Sequence, residues 1–134
     1  MQRFMYFFFV SFLMVSCSAS KSLNSELSHT WKMMQVTSEG EDVTQEHNPN
    51  NDRFIQFKPD GTFKSGGTPM GVNTGKYILD INAGTLFLDS DAGEDDDSKW
   101  NVQIGSNQMV WTGIGSAWHQ NFKLTFEKIP DSEK

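Results

Sequence analysis

Trp100-Asn101-Val102-Gln103-Ile104 and Phe122-Lys123-Leu124-Thr125-Phe126-Glu127 decide the fold class. In both stretches large apolar side chains alternate with polar ones, the period of two that sets one row against a core and leaves the other in water. Less regular versions of the pattern lie at Trp31 to Val36, Phe54 to Lys58, Thr62 to Ser65, Lys76 to Ile81, Thr85 to Asp89 and Met109 to Thr112, so eight strands are expected. Between them stand Pro59-Asp60-Gly61, Gly66-Gly67, Asn82-Ala83-Gly84, Gly105-Ser106-Asn107 and Gly113-Ile114-Gly115, the residue types that supply positive φ or a pre-bent backbone in tight turns. Connections this short join antiparallel neighbours. Nothing from Leu27 to Lys134 carries a helical apolar stripe of ten residues, which excludes a parallel sheet with crossover helices. The expectation is an all-β, eight-stranded antiparallel up-and-down barrel, because closure removes the exposed edges of such a meander.

One connection breaks the rule of short turns. Thr37 to Arg53 is a seventeen-residue stretch with no strand or helix signal, expected to be a lid or a mobile segment. The large side chains at alternating positions, Trp31, Phe57, Phe63, Tyr77, Trp100, Trp111 and Phe126, are the candidates for lining a small-ligand cup, or else for filling the interior. Arg53 falls just outside a strand, so the buried arginine clamp with which intracellular fatty-acid carriers hold a carboxylate is not expected, and neutral apolar ligands are favoured.

Composition narrows the function further. The 134 residues hold 17 acids and 11 bases, a formal charge of −6, with the lysines scattered singly, which argues against a nucleic-acid partner. A single cysteine excludes an internal disulfide and a cysteine-rich zinc site. Six acids crowd Asp89-Ser90-Asp91-Ala92-Gly93-Glu94-Asp95-Asp96-Asp97. Asp89, Asp91 and Glu94 are the candidate ligands for a hard cation there, but the run lacks EF-hand spacing and reads as a solvated turn, so no metal and no cofactor are expected. His29, His47 and His119 lie in separate connections with no zinc-binding spacing. His119 reads as a surface residue, no spacing favours pairing it with Ser106 or Ser116, and the chain is expected not to be an enzyme.

The amino terminus has a different character. Arg3 precedes an apolar run from Phe4 to Val15 broken only by Ser11. Twelve helical residues span roughly 18 Å against the ~30 Å of a bilayer core, so this is a signal-peptide hydrophobic region and not a membrane span. It ends in Leu13-Met14-Val15-Ser16-Cys17, which resembles the lipobox of bacterial lipoproteins. The resemblance implies cleavage before Cys17, acylation of its thiol and new amino terminus by chains such as palmitate, and stable anchoring in a membrane. Residues 1–16 are then the lipoprotein signal peptide, 17–26 the lipidated terminus and a small polar tether, and 27–134 the barrel domain. Ser18, after the lipidated cysteine, resembles the signal for release toward the outer membrane, with the domain facing either the periplasm or the exterior.

The domain carries a resemblance of its own. Leu27-Ser28-His29-Thr30-Trp31-Lys32-Met33, then Phe57-Lys58-Pro59-Asp60-Gly61-Thr62-Phe63, then Gly75-Lys76-Tyr77 resemble, in order and spacing, the lipocalin-like domain of Gram-negative envelope lipoproteins. His29 stands where lipocalins commonly have glycine. The resemblance implies a carrier or sensor for a small hydrophobic molecule, bound among Trp31, Phe57, Tyr77, Trp100, Trp111 and Phe126. The alternative is a non-enzymatic protein-interaction or structural module of the envelope with a filled barrel, its protein partner unspecified.

Overall fold

The computed structural model describes residues 24–115 and 117–131. The signal peptide, Cys17, the tether through residue 23, and Ser116 lie outside the described residues.

The chain forms β1 (Thr30–Ser38), β2 (Glu41–Asp42), a short helix α1 (Thr44–His47), and then β3 (Phe54–Phe57), β4 (Thr62–Gly66), β5 (Asn73–Asp80), β6 (Thr85–Ser90), β7 (Ser98–Ile104), β8 (Gln108–Gly113) and β9 (Phe122–Lys128). Every pairing is antiparallel, and from β3 to β9 each strand pairs with its neighbours in sequence. β1 closes the sheet, pairing with β3 at Thr30 to Lys32 and with β9 from Trp31 to Ser38. The result is a closed eight-stranded barrel, as the alternation predicts. Two-residue β2 is an addition, a flap paired to the end of β1.

Alternation in β1 is broken on purpose. Trp31 and Met33 face the core, the register shifts between Met33 and Gln35, and Val36 is again buried. Met34 is the extra residue of this bulge and is pushed outward, so two consecutive methionines take opposite environments.

Up-and-down topology gives the barrel two unlike ends. At one lie the Lys58–Gly61, Asn82–Gly84 and Gly105–Asn107 turns and, where the chain enters β1, a helical turn over residues 24–27. Leu27 is fully buried and its carbonyl accepts the Trp31 indole N–H at 3.0 Å, plugging this end. Residues 24–26, read from composition as part of the tether, are the first three residues of this helical turn. Phe57 and Tyr77 meet edge to face at 5.0 Å just above, and the Tyr77 hydroxyl donates to the Lys58 carbonyl at 2.7 Å. Burial is the main cause raising the Tyr77 pKa. In the adjoining hairpin Gly61 takes φ +87°, and Asp60 Oδ1 accepts from the Thr62 N–H and hydroxyl, which hold its carboxyl below the usual range.

The opposite end is formed by connections 39–53, 67–72, 91–97 and 114–121. The first corrects the expectation of a structureless lid. Beyond β2 and α1, buried Asn48 donates to the Met33 carbonyl at 3.0 Å and accepts from the Asp52 and Arg53 N–H groups, both at 3.1 Å. Thr44 bonds to both backbone groups of Val36. Such side-chain to backbone bonds order a loop without any hydrophobic period to announce it.

Candidate functional site

The lower interior is packed and the upper interior is not. Trp111 lies at the boundary, with ring centroids of Phe126, Trp100 and Phe57 at 4.6, 5.4 and 6.1 Å. Above it a cavity of about 310 Å³ opens among the end loops. Its walls are Met33, Phe63, Leu88, Trp100, Trp111 and Phe126, contributed by alternating inward positions of β1, β4, β6, β7, β8 and β9. Met70, Val72 and Trp118 also line it, and they are 66, 71 and 55% exposed, so the rim is apolar as well. A second, more open hollow of about 380 Å³ lies outside the wall along β1 and β3, beside Thr30, Lys32 and Gln56, with Phe54 as its one aromatic residue.

Of the ligand candidates read from the sequence, Trp100, Trp111 and Phe126 line the cavity, as does Phe63. Trp31, Phe57 and Tyr77 also point inward but belong to the packed end and do not reach the cavity. Asp89, Asp91 and Glu94 are exposed, and among the described residues no three His, Cys, Asp or Glu side chains are grouped to hold a metal ion. The acidic connection is instead ordered from within. Asn73 Nδ2 and the Ser90 hydroxyl each donate to Asp96 Oδ2 at 2.8 Å, the Ser90 N–H donates to Asp97 at 2.8 Å, and the Thr74 hydroxyl donates to Asp91 at 2.7 Å. Asn73, Ser90 and Asp96 form one polar side of the cavity, which the sequence reading missed because the three come from different elements.

Two further residues correct the sequence reading. His119 is buried, not on the surface. Its Nε2 accepts the Lys99 N–H at 3.1 Å, which assigns the proton of the neutral ring to Nδ1, and its ring lies 5.0 Å from Trp100 and 5.1 Å from Trp118. The loop reaches this position by crossing Gly113, where a Cβ would collide with the His119 carbonyl. Arg53 stands just outside a strand, one residue before β3, as expected, but it is half-buried and lines the cavity, its Nη1 donating to the His47 carbonyl at 2.9 Å. Burial lowers the guanidinium pKa, and the charge of Asp52 opposes that shift.

Charge is distributed as unevenly as packing. The connections 39–53 and 91–97 hold ten of the 17 acids, while Arg53 is the one lysine or arginine in the four connections of the open end. A mouth so lined raises the local concentration of cations and repels anions.

One buried indole N–H has no partner. The indole N–H of Trp31 donates to Leu27 and that of Trp100 to Ser98 Oγ at 2.8 Å, but Trp111 Nε1 is buried without an acceptor. A buried donor left unpaired costs about 1–3 kcal/mol. Glu26 Oε2 and His119 Nδ1 share that state, and neither residue lines the cavity.

No family model matches the sequence, and a search of curated proteins gives no match. Among solved structures, the chain is similar to the crystal structure of a DUF4847 family protein from Bacteroides vulgatus, with a TM-score of 0.54 and 18% identity over 75% of this chain and 92% of that one. At that identity the likeness carries the fold, an antiparallel closed barrel of lipocalin-like architecture, and the cavity must be read from its own side chains.

Proposed function

We propose that this chain is an envelope lipoprotein, held to a bacterial outer membrane through acylated Cys17, whose barrel binds a small apolar ligand without performing chemistry on it. The single observation that carries the binding half is the cavity of about 310 Å³ walled by Trp100, Trp111 and Phe126 in a barrel otherwise packed to its base. That volume sits at the lower edge of the range for small-molecule sites, and a mostly apolar lining with a few polar groups on one side is their usual make-up. The anchoring half rests on the charge, apolar run and Ser16-Cys17 junction of the amino terminus.

The test joins both halves. In a lipoprotein-processing host, native protein should fractionate with membranes and the Cys17→Ser chain should not. The Cys17→Ser chain, free of acyl groups and detergent, should bind naphthalene saturably at one site, with a change in tryptophan fluorescence. Membrane recovery independent of Cys17 overturns the anchor. Absence of saturable naphthalene binding overturns the carrier and leaves the interaction module, which the exposed rim of Met70, Val72 and Trp118 would then serve.

A further inference from the structure

Asp96 stands in the same cavity wall as Trp100, Trp118 and Phe63. It is half-buried, and its Oδ2 accepts from the Asn73 amide and the Ser90 hydroxyl, both at 2.8 Å. Both donors are neutral, so they hold the carboxylate in place without cancelling its charge. Among the described residues the one close ion pair, His29 with Asp131 at 3.9 Å, lies at the packed end. The other charged residue of the wall, Arg53, is already engaged, its Nη1 by the His47 carbonyl and its charge by neighbouring Asp52. Connections 39–53 and 91–97 hold ten acids, Asp96 among them, so the field at the mouth draws cations in and turns anions away. An acidic mouth alone would gather any solvated cation. The wall around Asp96 narrows the choice, because indole and phenyl faces offer nothing to a hydrated metal ion, whereas they cover an apolar body and their negative faces attract an organic ammonium group.

We infer that the ligand is a small organic cation, an amine or ammonium group on an apolar body, whose charge lies at Asp96 while its body lies against Trp100, Trp118 and Phe63. At about 30 Å³ per non-hydrogen atom, the share of a water in the liquid, the 310 Å³ cavity holds on the order of ten such atoms. This rests on the carrier reading and narrows it: the apolar ligand carries one positive charge, in place of the neutral molecule expected from the sequence.

Three probes of nine non-hydrogen atoms test it: 2-phenylethylammonium, its uncharged isostere propylbenzene, and benzoate. In the Cys17→Ser chain at pH 7, phenylethylammonium should displace naphthalene and benzoate should bind far more weakly. Asp96→Asn keeps an oxygen for Asn73 and Ser90 but removes the charge. It should lower the phenylethylammonium to propylbenzene affinity ratio about five- to tenfold, between the worth of an exposed ion pair and that of a hydrogen bond to a charged group. Glu41→Gln removes an exposed acid of the mouth that does not line the cavity, and should change the ratio less than about twofold at physiological salt. In the chain that keeps Asp96, the carboxyl carbon resonance of Asp96 should move further with phenylethylammonium than with propylbenzene, a reading independent of how the Asp96→Asn chain folds. Equal lowering of the ratio by both substitutions, an unchanged ratio with equal movement of the resonance, or tightest binding by benzoate overturns the inference while naphthalene binding preserves the carrier. Failure of all probes including naphthalene overturns both.

Discussion

The two ends of this barrel are made from the same kind of residue and put to opposite uses. At the closed end Trp31 is fully buried, packed under Leu27, and hydrogen-bonded. At the open end Trp118 is 55% exposed, and Trp111 is buried without a partner for its N–H. The closed end has short turns; the open end has the long connections, ten acids and the cavity. A barrel of about 100 residues can be stabilised from one end, and the contrast shows which. Packing is concentrated where the chain enters, which leaves the other end free to keep an incompletely filled space and an unsatisfied donor.

The sharpest way to break this comparison is Trp31→Ala. Removing a fully buried indole and its bond to Leu27 should cost about 3–5 kcal/mol, read as a lower urea midpoint at unchanged m value. A loss below about 1 kcal/mol would mean that stability is not concentrated at the closed end. Trp118→Ala should do the reverse. Its ring touches Trp100, His119 and Phe122 from the solvent side, so stability should change by no more than about 1 kcal/mol while naphthalene affinity falls several-fold. Equal effects on stability from the two tryptophans would abolish the distinction.

The smallest effect concerns the Asp60 hairpin of the closed end. Its carboxyl is held below the ordinary value by Thr62, so its stabilising contribution is present above the unfolded pKa near 4 and fades as pH falls through the lower folded value. Asp60→Asn removes that titration. The stability gap between native chain and variant should be larger at pH 7 than at pH 2, measured by urea unfolding, and a gap independent of pH would rule out the Thr62 bonds as its source.

Period two reveals which face a side chain takes but not its height in the barrel. Trp31, Phe57, Tyr77, Trp100, Trp111 and Phe126 were therefore legible as inward residues, and the eight strands with them, while the division into base and cavity was not. Height follows from register, as in the pairings Trp111↔Leu124 and Met33↔Phe126, and these are fixed by the assembled sheet. The bulge at Met34 was hidden because Met33 and Met34 are equally apolar. His119 was misread, and Asn48 passed over, for a related reason, since their buried positions come with backbone partners at Lys99 and Met33, twenty and fifteen residues away. The rim residues Met70 and Val72 sit in a connection where no alternation operates.

The helical turn over residues 24–27 fixes where the chain enters the barrel, and with it how a leashed barrel would stand. If Cys17 is the leash, seven residues precede the turn, at most about 25 Å of chain. The base is then the foot of the molecule, set beside the supporting leaflet, and the aromatic mouth is its summit. Cargo would be exchanged with whatever lies across the aqueous gap, so that the anchoring membrane serves as a floor and not as a reservoir.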